Sequence, residues 1–561
     1  MTTSIPDTQI KQLDVLPLVK YHLDELNLYS HFDKYLPNKN NADIAPGQVL
    51  CVMVMNIVAA SRPLYQVADW LGPYLDGVTE PVVEAAKYND DRLGRTLDAL
   101  FEADRSSLMT ELTATAIEVH ALQTERIHND STSITFEGAY PNVDEEAVQL
   151  ARGYNKDHRP DCKQIVFGLN ITEDGHVPLS FQLYDGNQAD IATHCPNWDG
   201  LRQQLGKTDF IYIADSKLCS AENLDHIAGH GGKFITLMPR NFKEVSTFLE
   251  TVREGKELQW RHEFCLPDTR KQGQAIIYRL HEGELSRGGY RMLWVHSSAK
   301  QRQDEKRRES VIQKSEHALE VLAAGLNRYQ LKTRASIEKA IAKACQHRGD
   351  FIQVDLIENK TFVKTKVGRG RPGPQTQYKI QEVITYQMVW CRDAEAMAKD
   401  ALTDGLFPLV DNTGLDAPEV LLIYKKQPYL EKRFATKKSV LDVAPVFLKT
   451  PRRIEAMMFL YFIALMIVSL IERRLRHEMQ AQDIPSLAIL PSKLKTKTPT
   501  WNNLRVFFSS VHLAKVIQDN QVLNHMIKGV TALHYQLLHL LKVPRSIYDK
   551  LQEGWWVFSF G

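Results

Sequence analysis

The chain has 561 residues, 43% of them apolar and 24% charged, with a formal net charge of +1; that length allows two to four domains with their own cores, and the balance is ordinary for a globular protein. Seven cysteines with no CxxC pair argue against a disulfide framework or a structural zinc site and favour a reducing compartment, and MTTSIPDTQIKQLDV has neither the basic nor the apolar part of a signal peptide. Charge is unevenly spread: residues 1–124 carry 9 Lys+Arg against 17 Asp+Glu and residues 452–561 carry 14 against 7, so a polyanionic partner leans on the middle and C-terminal parts.

Residues 1–120 read as an all-helical N-terminal domain. PGQVLCVMVMNIVAA is an apolar helix broken by SRP, and YNDDRLGRTLDALFEADRSSLMTELTATAIEVHAL repeats apolar residues at helical spacing. Two readings stand for this part: a helix-turn-helix reader of DNA ends, or an acidic packing and dimerisation module.

From residue 121 the pattern becomes extended. ERIHNDSTSITFEG is β-branched, and KQIVFGLNITEDGHVPLSFQLY is two strands about the turn Glu173-Asp174-Gly175. PNWDGLRQQLG is a helix, DFIYIAD a short apolar strand, SAENLDHIAGHG a helix with Ser220 as N-cap, and KFITLMP another buried strand. Three strands, helix, strand, helix, strand is the order of a ribonuclease-H-like α/β fold, a mixed sheet with flanking helices. The expected core comprises residues 121–241 and 403–480, interrupted by an inserted α+β domain at 242–402.

That insertion mixes strands such as YRMLWVHSS, FIQVDLI and TYQMVWC with charged helices, and holds a basic Gly/Pro-rich loop, GRGRPGP, at residues 368–374. DGLFPLVDNT returns to strand character, and a basic helix is predicted from Pro428 to Leu441. The sixteen apolar residues Ala456–Ile471 are too few to cross a bilayer core of about 20 residues and predict a buried core helix, so no membrane partner is expected. Residues 481–561 are expected to be a helical region serving dimerisation or DNA contact.

Three carboxylates sit where metal ligands would be useful. Asp130 closes ERIHND and Asp215 closes FIYIAD; on adjacent strand ends their oxygens could share one hard cation. Glu431 lies among Lys425, Lys426, Lys432, Arg433, Lys437 and Lys438, with Tyr424 seven residues before it and Lys438 seven after. Paired ions held by such carboxylates suit phosphodiester cleavage, while the cations hold phosphates. Taken singly, each Asp could equally end a strand or start a turn, and Glu431 could be incidental on a solvated basic helix. His128 reads as structural. Asp185, Asp190 and His194 form a weaker cluster in a turn leaving the third strand. No nucleophile elbow or P-loop is present.

DSTSITFEG, IADSKLC and Tyr424-x6-Glu431-x6-Lys438 together resemble the DDE transposases of bacterial and archaeal insertion sequences. The last motif resembles more closely the branch with the signature Tyr-x2-Arg-x3-Glu-x6-Lys, although position 427 is Gln where that signature has Arg. NDDRLGRTLDALF, GNQADIATH, FITLMPRN, the GRGRP loop and FPLVDNT extend the likeness over most of the chain.

The resemblance implies that Asp130, Asp215 and Glu431 bind two Mg²⁺ ions, with Mn²⁺ as a substitute. It implies that Tyr424 and Lys438 contact the DNA end, and Lys437 and Arg433 are further DNA-binding candidates. The implied activity is cleavage at terminal inverted repeats and strand transfer into target DNA, by a homodimer on double-stranded DNA in a prokaryotic, nucleoid-associated, cytoplasmic setting. Gln427 lacks the cationic fork of Arg, so a neighbouring cation replaces it or activity falls. A non-catalytic domesticated DNA-binding relative and a nuclease without strand transfer are the alternatives.

Overall fold

The β-branched run from Arg126 and the apolar run from Lys163 meet as neighbouring strands at the centre of the fold. In the computed structural model, which describes residues 7–38, 42–77, 84–140, 144–153, 159–268, 275–345, 351–369, 371–435, 448–518 and 521–552, the chain divides into two compact units. One comprises Met1–Thr236, Asn412–Leu415 and Glu419–Gly561; the other comprises Leu237–Asp411 and Asp416–Pro418.

The first unit contains β1 (Asp7–Gln12), β2 (Arg126–Phe136), β3 (Lys163–Thr172), β4 (Pro178–Tyr184), β5 (Ile211–Ile213) and β6 (Lys233–Leu237). Strands β2 to β6 run in the order β4-β3-β2-β5-β6. β3 and β4 form the expected hairpin, closed where Thr172 Oγ1 donates to the Asp174 carbonyl and accepts from Val177 N–H. Gly175 takes φ +74° at the turn, a conformation glycine adopts without strain. β2 is antiparallel to β3 and parallel to β5, and β5 is parallel to β6. The helices His194–Leu205 and Ala221–Gly229 fall between the parallel strands in sequence, and Ser220 caps the second by accepting from Asn223 N–H.

The helix containing Ala456–Ile471 is longer than its apolar stretch, running from Pro451 to Ala481. It is long and apolar enough to span a bilayer by length and composition, yet 89% of its most apolar window is buried inside the protein. It packs on the helices Pro46–Ala59 and Asp90–Glu102 and on β4. Its charged ends are paired: Arg453 with Asp98, Glu455 with Arg105, Arg473 with Asp174 and Arg474 with Glu25. The N-terminal helices thus share one core with the sheet.

Two expectations need correction here. The N-terminal part is not all helical, because β1 pairs antiparallel with a distant strand. The C-terminal region is likewise not all helical: it contains that partner, His512–Gln518, and the strand hairpinned to it, Gln521–Lys528. DTQIKQ carries no strand pattern of its own and is mostly exposed, so pairing across the length of the chain decides its conformation.

The second unit holds β7 (His262–Pro267), β8 (Ala275–Glu282), β9 (Arg291–Ser297), β10 (Ile352–Lys366), β11 (Tyr378–Arg392) and β12 (Leu406–Asp411). It spans Leu237–Asp411, where the insertion was expected at 242–402. Its strands β12, β9, β8 and β7 are successive antiparallel neighbours. β10 and β11 form a separate two-stranded ribbon, paired from Ile352–Arg392 to Lys366–Tyr378. The ribbon's root packs on the helix Ser298–Ala324 through Ile312, Leu319, Phe351, Ile352 and Met388. β13 (His512–Gln518) and β14 (Gln521–Lys528) complete the chain's strands, in the first unit.

Candidate active site

Strands β2 and β5 pair in parallel just ahead of the two aspartates. Arg126, Ile127 and His128 lie opposite Ile211, Tyr212 and Ile213, and Asp130 and Asp215 each follow the last paired residue of their segment by two positions. Adjacent strands lie ~4.8 Å apart. The chain stays in place beyond β5 because Ala214 N–H donates to the Ile235 carbonyl and Thr236 Oγ1 donates to the Asp215 carbonyl. Asp130 does not end its strand as its sequence position suggests: β2 continues to Phe136 against β3. Asp130 stands instead where β5 stops pairing with β2. Its Oδ1 accepts from Ser131 N–H at 2.7 Å, and the Asp215 Oδ1 accepts from Lys217 N–H at 2.9 Å.

Tyr424, last residue of the helix Ala417–Tyr424, reports on both carboxylates. Its hydroxyl is held well above the usual tyrosine range, first by burial and then by the negative charges of Asp215 and Asp130. The phenol therefore stays protonated and can donate a hydrogen bond at neutral pH. Three residues on, Gln427 fastens this region to β2. Its Nε2 donates to the Asn129 carbonyl at 2.7 Å, and its Oε1 lies 2.9 Å from His128 Nδ1. These bonds make the ring nitrogen the donor, and burial lowers the His128 pKa to about 4. Gln427, where the family signature carries Arg, is thus turned onto the strand beside Asp130.

The helix Pro428–Ala435 buries Leu430, Arg433 and Phe434. Arg433, expected to face DNA, is only 4% exposed. Its guanidinium donates to the Gly175 and His176 carbonyls at 2.9 and 3.0 Å and to Glu472 at 2.7 Å. It is a fastener between the β3–β4 turn and the long core helix. Lys426 pairs with Glu173, and Tyr429 stacks on His176 with ring centroids 4.3 Å apart. Glu431 is exposed at the helix edge. Lys437 and Lys438 lie outside the described residues.

The remaining sequence candidates part company. Asp185 accepts from Gln149 N–H, Asp190 accepts from Ser131 Oγ, and buried His194 contacts the Tyr212 hydroxyl at 3.2 Å. A buried polar chain links β2, β3 and β5 to the helix His194–Leu205. Asn129 Nδ2 donates to Asn170, whose amide exchanges hydrogen bonds with Asn197, and Asn197 Nδ2 donates to the Tyr212 hydroxyl. The signal was there: a lone Asn in the apolar run KQIVFGLNIT.

Carboxylate oxygens from Asp130 and Asp215 are the donors a hard divalent cation prefers. Among the described residues, however, no three His, Cys, Asp or Glu side chains lie close enough to hold a metal ion. The two aspartates fit as a pair; the three-carboxylate set with Glu431 is not gathered.

A family model described as a transposase DDE domain matches residues 123–467, more than half of the chain and covering both aspartates and Glu431. The chain belongs to the DDE transposases. It is an enzyme acting on DNA, of a family that works with divalent metal ions. A domain of unknown function, DUF4277, matches residues 8–114 of the transposase. No curated protein matches it. Among solved structures it is similar to the piggyBac transposase in a synaptic complex with hairpin DNA, at 8% identity and TM-score 0.35, covering 97% of this chain and 87% of that one. It also matches the Mos1 transposase in a paired-end complex with the left transposon end, at 9% identity and TM-score 0.14, covering 39% and 75%.

Proposed function

We propose that this transposase cuts DNA at the terminal inverted repeats of its element and joins the freed 3′ ends to target DNA, using Asp130, Asp215 and Glu431. The observation that carries this reading is that the Tyr424 hydroxyl lies under the charge of both Asp215 and Asp130, each of which stands two residues past the last paired residue of the parallel strands β5 and β2. The order β4-β3-β2-β5-β6, antiparallel then parallel, supports a ribonuclease-H-like core. Tyr424, Glu431 and Lys438 support membership of the Tyr-x2-Arg-x3-Glu-x6-Lys branch.

Asp130, Asp215 and Glu431 are the proposed ligands of two Mg²⁺ ions, or Mn²⁺ in their place. Such ions would supply Lewis-acid stabilisation of the attacking and leaving oxygens. The chain's own contribution is positional. Gln427 and the Asn129–Asn170–Asn197 chain hold β2 on its two sides, and the protonated Tyr424 hydroxyl can donate to a phosphate oxygen. Joining two ends calls for at least two protomers, so a homodimer on DNA, cytoplasmic and nucleoid-associated, completes the proposal.

The test is Mg²⁺- or Mn²⁺-dependent cleavage of a terminal-repeat duplex, comparing wild type with Asp130→Asn and Asp215→Asn, with joined products scored separately. Metal-dependent cuts and joints lost in both variants are expected. Cuts without joints would make the protein a nuclease, and no difference between wild type and variants would overturn the site.

A further inference from the structure

The β10–β11 ribbon ends in a feature that the proposed chemistry leaves unused. Fifteen residues per strand give a length of ~50 Å, and outward from Ile357 and Ile384 nearly every described residue is exposed. Among the described residues no layer covers it, and a two-stranded ribbon without a covering layer is marginal in water, which favours a partner along its length. From Asn359 to Gln381 it carries six cations, Lys360, Lys364, Lys366, Arg369, Arg371 and Lys379, and no carboxylate. Lys360 pairs with Glu382 at the ribbon's flank. Neither Arg369 nor Arg371, both exposed at the tip, has an acidic partner among the described residues.

The tip is narrow as well as basic. Val367 N–H donates to the Gln377 carbonyl and closes the turn, and Gly373 N–H donates to Thr376 Oγ1. Gly368 takes φ +97°, a conformation that suits glycine. The sequence Gly368-Arg369-Gly370-Arg371-Pro372-Gly373-Pro374 alternates arginines with residues that have little or no side-chain bulk. A minor groove only ~6 Å wide excludes a ribbon of β-branched side chains but admits such a segment. A·T-rich grooves are narrower still, and their deepened negative potential draws in arginine, whose weak hydration makes its burial easier than lysine's.

We infer that the ribbon tip is a DNA-binding site in which Arg369 and Arg371 enter the minor groove of A·T-rich duplex. This inference rests on DNA being the substrate, and it is independent of the carboxylates. The ribbon's lysines lie along the flanking phosphates, adding affinity without sequence preference.

The experiment measures fluorescence anisotropy of labelled duplexes with full-length protein in EDTA, so that cleavage plays no part. Three probes are compared: A·T-rich, G·C-rich and one with inosine·cytosine pairs, which carry the minor-groove face of A·T on the major-groove face of G·C. Wild type is expected to prefer the A·T-rich and inosine probes over the G·C probe by roughly tenfold. Arg369→Ala/Arg371→Ala should remove that preference and lower the salt slope by about 2, with an unchanged melting temperature. An inosine probe that behaves like G·C would place the contact in the major groove and overturn the inference. So would equal affinity for all probes, or a variant that keeps the preference. Cleavage assayed separately with Mg²⁺ that is equal in wild type and Asp130→Asn, with the preference intact, would instead count against the carboxylate site alone.

Discussion

The burial of Arg433 makes a prediction that separates a fastener from a DNA contact. In Arg433→Met the aliphatic side chain keeps most of the volume but leaves Glu472, 5% exposed, without its main partner. Breaking a buried pair in this way costs about 3–5 kcal/mol. Arg476 remains 3.2 Å from the same carboxylate oxygen, so the lower end, about 3 kcal/mol, applies. The first unit has roughly 380 residues, and at ~2.1 cal/mol/K per residue its unfolding entropy is ~0.8 kcal/mol/K, which gives a fall in Tm of roughly 4 °C. In Arg433→Met/Glu472→Gln no buried charge remains, and the amide oxygen still accepts from Trp501 N–H as Glu472 does now at 2.9 Å. The double variant should recover more than half of the loss. Scanning calorimetry reads both effects, and anisotropy should find DNA affinity unchanged. If Arg433→Met melts like wild type while its DNA salt slope drops by about 1, the side chain lies on DNA and the buried role is wrong.

Gln427→Ala removes two bonds to β2 and should slow single-turnover cleavage about tenfold while leaving the DNA Kd within about twofold; a phosphate-binding Gln427 would instead weaken the Kd. Asn170→Leu leaves Asn129, Asn197 and Ser180 without a shared buried partner and should destabilise by about 2–3 kcal/mol, read from a urea midpoint that would otherwise stay put. His22 is buried and its pKa is lowered to about 3, chiefly by burial, while its Nδ1 bonds the Leu18 carbonyl. Glu25 lies 3.9 Å away but is itself held by Arg474. A depressed histidine is neutral in the folded state while the unfolded chain takes up a proton below ~6.5. Its stabilisation is therefore complete above that pH and is lost toward pH 3, at up to ~1.4 kcal/mol per unit. His22→Gln should flatten the dependence of Tm on pH between about 6.5 and 4.5, and an unaltered slope would show that His22 titrates normally.

Local pattern carried the reading of the sheet. Alternating apolar runs and a turn rich in Asp and Gly located β3 and β4, and two extended runs each reaching an aspartate pointed to the candidate site. Those features depend on neighbours in sequence. What stayed hidden depends on distant partners. Arg433 belongs to a residue type that is usually solvated, and only Glu472 with two turn carbonyls makes its burial tolerable. Asp130 read as a strand terminus because it closes the run ERIHND, whereas the structure ends the pairing of β5 and lets β2 run on to Phe136. Gln427 looked like a missing cation until His128 and Asn129 supplied it with partners. The exposed ribbon was visible as two strands and a basic loop, but its lack of cover is a property of the fold.

Pairing of β1 with β13 gives the first unit a clock. About 500 residues separate the partners, and at about 5–20 residues per second a ribosome needs on the order of 25–100 s to make that length. The first strand must wait that long for its place, and the ion pair between Glu25 and Arg474 waits nearly as long. A nascent transposase therefore holds its acidic N-terminal helices incompletely covered through most of its synthesis. Early termination would release a chain whose first strand has no sheet to join, ready for chaperones and proteases before it could engage DNA.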